Sequence, residues 1–163
     1  MFKRVLGQAI PMADNPVTIL HRLREASGPQ ETVGLSDHVI EDFCNSDADL
    51  VRAIHEAEQV HHALMEEFGQ DVMSLPEPEL IKHLQSDYVN FYSAATVNPY
   101  IPIAGRGPWL VTVCGAVLHD NGGYGMLGSG HGPSSVIDAM SENWVMANVM
   151  TASFSRKRLG NRL

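Results

Sequence analysis

The chain has 163 residues, the size of one ordinary domain, and with 44% apolar against 18% charged side chains it can bury a core, which excludes wholesale disorder. Nineteen acids against eleven bases leave a formal charge of −8, the wrong sign for a protein that binds nucleic acid by neutralising phosphates. The longest apolar run, Trp109 to Leu118, is far short of a membrane span. Met1-Phe2-Lys3-Arg4 leads into no secretory apolar segment, and Cys44 and Cys114 make no disulfide framework. The expectation is a reduced, cytoplasmic globular protein.

In chain order, residues 14–25 carry a weak helical pattern opened by Pro16. From Glu31 to Glu79 there are thirteen acids and one base, Arg52, a density that reads as a solvated helical face or as an acidic interaction surface. The clearest helix lies within it. Ser46 or Asp47 caps its start, and Asp49 sits in the first turn, where the helix dipole favours an anion. Leu50, Ile54, Ala57, His61, Leu64 and Phe68 then follow at spacings of three and four, and Gly69 ends the run. On this phase His61 faces the core while His55 and His62 lie on the polar flank. A shorter helix starts near Pro78, with Leu80, Ile81 and Leu84 as its apolar side.

From Asp87 the character changes. Tyr88, Phe91, Tyr92, Tyr100 and Trp109 are interrupted by Pro99, Pro102 and Pro108, so residues 87–108 read as an extended strap. Trp109-Leu110-Val111-Thr112-Val113 and Ala116-Val117-Leu118-His119, separated by Cys114-Gly115, read as a β-hairpin. Asp120-Asn121-Gly122-Gly123 is a turn, because Asn and Gly tolerate positive φ. Seven of the fourteen glycines lie between Gly115 and Gly132. Ser134 or Ser135 caps a last helix, Ser134 to Asn148, striped by Val136 or Ile137, Met140, Trp144 and Ala147. Val145 and Met146 add apolar side chains on its other faces, so the helix needs covering from two sides. The fold class is therefore α+β, with an acidic, mainly helical segment over 1–86, the strap over 87–108, and a hairpin, glycine-rich loop and helix over 109–163.

Three motifs suggest chemistry. Gly123-Tyr124-Gly125-Met126-Leu127-Gly128 matches a pyrophosphate-cradling pattern, but the following helix starts too late, behind Pro133, and too little chain remains for further parallel strands. His55, Glu58, His61 and His62 crowd one helix, and Glu58 with His62, four apart, can share a face. Three ligands do not converge there, and no second Glu-x-x-His helix is present for a di-metal site. His119-Asp120 and Ser129 with His131 supply the side chains of a hydrolase triad without the nucleophile-elbow spacing. Neither cysteine has the electropositive flanks that make a thiolate.

Residues 107–158 resemble the class III pyridoxal-phosphate-dependent aminotransferases of the type I fold. The resemblance runs in order through Gly107-Pro108-Trp109, the hairpin Leu110 to His119, the turn Asp120 to Gly123, and Leu127-Gly128-Ser129-Gly130-His131-Gly132-Pro133. That last stretch is similar to the family's Leu-Gly-His-x-His-Pro element, although Gly130 precedes the single histidine and Gly132 separates it from Pro133. The helix from Ser134 and Met150-Thr151-Ala152-Ser153-Phe154-Ser155 complete the series, and Asn98-Pro99-Tyr100-Ile101-Pro102 is similar to the strap before the hairpin. The resemblance implies the amino-terminal part of a small domain in a homodimeric parent that moves an amino group between an amine or amino acid and a 2-oxo acid. It implies that Tyr100, Gly125, Gly128, Ser129 and Gly130 border the substrate entrance. Pyridoxal 5'-phosphate serves the full-length family. It requires a lysine amine, an acid against its ring nitrogen and a phosphate cup. Lys3, Lys82 and Lys157 have no desolvated setting in the sequence, and no phosphate loop follows Phe154. This chain alone is therefore expected to bind no cofactor, to supply no catalytic residue, and to pair with a cofactor domain or with itself.

Overall fold

The computed structural model describes residues 14–86, 99–121 and 128–142. These form six helices and one three-stranded antiparallel sheet, an α+β arrangement. Helix α1 spans Pro16–Ala26, its first turn closed by Asn15, whose side chain accepts the Val17 N–H at 2.9 Å. Val17, Ile19, Leu20 and Leu23 are its buried side. Helix α2, Asp37–Cys44, was not expected; it is short and buries Ile40 alone, too little to leave a periodic signal.

Helix α3 spans Ala48–Phe68, capped by Asp47 and stopped by Gly69 at a φ of +80°. Its inner face holds Leu50, Ala53, Ile54, His55, Ala57 and His61. His55 corrects the expectation: it is 6% exposed, against 5% for His61, and only His62 faces out. The reason is α1, which packs along α3 and widens its covered face beyond a single stripe. After Gly69 a single turn, α4 (Gln70–Met73), leads to α5 (Glu77–Leu84), with Leu80 and Ile81 buried.

The sheet runs β1 (Pro102–Arg106), β2 (Trp109–Thr112), β3 (Val117–His119), paired in that order. The expected hairpin is β2–β3, in register from Trp109↔His119 to Val111↔Val117, around a turn in which Gly115 has a φ of +75°. The strap is more than extended chain over its last residues. Ala104, Gly105 and Arg106 pair with Val111, Leu110 and Trp109, so β1 is an edge strand, a position that tolerates Pro102. All four residues of β2 are buried. Trp109, Val111 and Val117 join Leu20, Leu50 and Ile54 in one core between sheet, α1 and α3. A second cluster joins Met73 and Leu80 to Val113 and Cys114.

Residues 27–36 cross between these parts as an irregular segment. Glu77, 1% exposed, accepts the N–H groups of Glu31 and Thr32 through one oxygen, both at 2.7 Å. Its own N–H donates to the Pro29 carbonyl at 2.9 Å, and the Leu35 N–H donates to the Val117 carbonyl at 2.9 Å.

Residues from Gly132 onward belong to a separate compact unit. Its described part is α6, Ser134–Met140, preceded by Pro133 at the N-cap with no side-chain cap bond, so neither serine caps it. Val136, Ile137 and Met140 are 42%, 43% and 69% exposed. Trp144, Val145, Met146 and Ala147, and the rest of the helix expected to Asn148, lie outside the described residues. Among the described residues no helix is long and apolar enough to cross a membrane.

Candidate functional site

Gly107, at a φ of +51°, and Pro108 turn β1 into β2. The end of the glycine-rich segment folds back onto this turn. His131 N–H donates to the Gly107 carbonyl at 2.7 Å, and Gly107 N–H donates to the His131 carbonyl at 3.0 Å, an isolated antiparallel bridge. Gly130, at a φ of +71°, makes the approach possible. A Cβ there would stand 2.7–2.9 Å from the Gly107 backbone, inside any real contact.

The His131 ring leans on Asp120, Nε2 to Oδ2 at 2.9 Å, with both side chains about a quarter exposed. Asp120 is itself placed by its N–H, which donates to the Pro108 carbonyl at 2.7 Å. The loop is thus held at its histidine by a backbone bridge and a side-chain pair to two neighbouring parts of the sheet.

Beneath this end of the sheet, Trp109 Nε1–H donates to Asp47 Oδ2 at 2.8 Å, while Asp47 Oδ1 accepts the Asp49 and Leu50 N–H groups. One carboxylate therefore caps α3 and fastens β2 to it. The Trp109 bond, with the helix N–H bonds, holds the Asp47 carboxyl below its ordinary value despite partial burial. Phe43 and His119 meet the indole edge-on at 4.9 and 4.8 Å. Arg106, at the end of β1, grips Glu56 of α3 through Nε at 2.9 Å and Nη2 at 2.6 Å, a forked pair that raises the guanidinium pKa further.

The expected entrance residues divide in two. Gly128 and Ser129 are exposed beside docked Gly130, at the Gly107 end of β1. Tyr100 is half-buried before the other end of that strand, about 20 Å along an extended chain. Gly125, and with it most of the glycine pattern from Gly123 to Gly128, lies outside the described residues. The histidine cluster is dispersed: Glu58 pairs with Arg22 rather than His62, and His62 stands 3.6 Å from Glu66. Among the described residues no group of three or more His, Cys, Asp or Glu could hold a metal ion. Burial, with Glu77 adding, pushes the Cys114 thiol to about 11, and burial with Asp47 and Glu41 raises Cys44, so neither is a ready thiolate.

Two features escaped sequence reasoning. Nothing local signals that Glu77 is buried. Nor does the helical phase of His55 show that it walls a cleft of about 480 Å3, opened where α1 begins and α2 ends against α3. No protein-family model, curated protein or solved structure matches this chain.

Proposed function

We propose that this chain is the amino-terminal, small-domain portion of a class III pyridoxal-phosphate-dependent aminotransferase-like protein. Its parent moves an amino group between an amine or amino acid and a 2-oxo acid, and Tyr100, Gly125, Gly128, Ser129 and Gly130 border the approach of substrate. What supports this best is the ordered series β1–β2–β3, a glycine-rich segment returning to the β1–β2 turn, and α6. That is the order of hairpin, Leu-Gly-His-x-His-Pro element and helix in the family.

The described residues do not themselves fit the cofactor. It needs a lysine whose amine is desolvated, and Lys82 is exposed in the last turn of α5; Lys3 and Lys157 lie outside the described residues. The reading therefore assigns the lysine, the acid and the phosphate cup to a cofactor domain outside these 163 residues, and to this chain the shaping of the entrance. An acidic interaction module is the second reading, and five of the thirteen acids of the block are engaged internally, which narrows the surface it would use. Asp37 holds His21 and Arg24, Asp47 holds Trp109, Glu56 holds Arg106, Glu58 holds Arg22, and Glu77 holds the 31–32 backbone.

Capture of the native protein from its source with antibodies to this chain, then visible spectroscopy and a transamination assay, tests the reading. Stoichiometric pyridoxal phosphate with amine-to-oxo-acid transfer is expected. A native protein lacking both overturns it. The 163-residue chain alone, titrated with pyridoxal phosphate, should give no saturable visible band; a band abolished by replacing one of its three lysines would refute that expectation.

A further inference from the structure

We propose that the cleft between the start of α1, the end of α2 and the middle of α3 is a binding site for a small organic cation, an ammonium or guanidinium group on a short apolar body. The inference does not rest on the aminotransferase reading, since no residue of the glycine-rich segment or the sheet lines this cleft. At about 480 Å3 it has the size of a small-ligand pocket.

Its chemistry is selective. His55 forms part of the wall, is 6% exposed, and has no hydrogen-bond partner among the described residues. Its ring nitrogens are not sealed from solvent, so a ligand N–H can reach the unprotonated one in exchange for water. Glu41 supplies a carboxylate that no cation occupies among the described residues. Asn45 marks the C-terminal end of α2, where helix carbonyls present partial negative charge and the last turn has no basic side chain of its own. Val17 and Val51 offer the apolar wall for the body of the ligand.

An anion fits poorly. The N-terminus of α1 also reaches the cleft, but its Val17 N–H is already taken by Asn15. Asp14 at the rim shares the Arg22 guanidinium with Glu58, so with Glu41 the net charge around the cleft is negative. The raised Cys44 thiol agrees: after burial, its causes are Asp47 and Glu41, so the site is negative and the sulfur stays neutral.

The test is calorimetric titration of the whole chain with n-butylguanidinium, n-butylammonium and, as a control of the same shape and opposite charge, butyrate. Both cations should bind saturably and butyrate should not. Glu41→Gln should weaken the cations about fivefold, whereas Asp42→Asn, an exposed neighbour on α2 outside the cleft wall, should leave them unchanged. His55→Phe should weaken them about tenfold, with circular dichroism confirming its fold. Binding of butyrate as strong as the cations, equal losses in Glu41→Gln and Asp42→Asn, or no saturable binding of either cation overturns the proposal. Glu41→Gln, on the surface, keeps the test decisive if His55→Phe does not fold.

Discussion

Glu77 is the only fully buried carboxylate among the described residues, and its work is done by one oxygen that accepts two backbone N–H groups. Glu77→Ala removes the acceptor of both N–H groups and empties a buried position, so a loss of about 3 kcal/mol is expected from urea unfolding. Trp109→Phe keeps most of the ring and removes the N–H that Asp47 accepts. A loss of about 2 kcal/mol is expected, the scale of a hydrogen bond to a charged group. The same substitution should move the acid limb of stability upward in pH. Asp47, depressed first by the Trp109 bond, contributes stability that is full above its unfolded value near 3.8 and lost as pH falls through the lower folded value. His61 titrates in a different window. Burial, with His62 second, lowers its pKa below 6.5, so the unfolded chain binds the proton more readily. Melting temperature should therefore fall as pH drops from about 7 to about 5, and less steeply in His61→Gln.

At the scale of elements, the docked end of the glycine-rich segment depends on one absent methyl group. Gly130→Ala meets both a positive φ and the Gly107 backbone, so the 128–131 segment should leave the turn. Hydrogen exchange at the His131 amide would rise toward the rate of an open loop, while α3 amides keep their protection. Elements with local signals were legible beforehand: α3 is bounded by an Asp47 cap and a Gly69 stop, and β2–β3 is two β-rich runs about a glycine turn. Those made by partners were not. β1 is Pro-Ile-Ala-Gly-Arg, with poor strand propensity, and is a strand because β2 lies beside it. α2 buries one residue, and the covered face of α3 reaches His55 because α1 lies across it. The candidate site was legible in part. His131 and Asp120 were visible as chemistry-bearing residues, but their pairing needed the fold-back onto Gly107.

At the scale of the whole molecule, five carboxylates among the described residues, those of Asp37, Asp47, Glu56, Glu58 and Glu77, tie helices to each other, to strands and to the 27–36 segment, while seven acids between Glu31 and Glu79 stay exposed. The unit that begins at Gly132 contrasts with this: α6 has no buried residue, and Val136, Ile137 and Met140 are left open. Light scattering should show mass rising with concentration, and Val136→Ser with Met140→Ser should suppress the rise; a monomer at every concentration would remove this prediction. The 27–36 segment has a consequence of a different sort. The outward carbonyl of Val117 is occupied by Leu35, and Gly34 lies against the same residue, so part of the outer rim of the sheet is closed to another chain. Releasing the Glu77 clasp at Glu31 and Thr32 should loosen the Leu35 contact that covers that rim, and an open strand rim recruits its own kind. Glu77→Ala should thus form thioflavin-positive aggregates below its melting temperature. The clasp would then matter to the cell less as a contributor of stability than as a guard against amyloid-like growth.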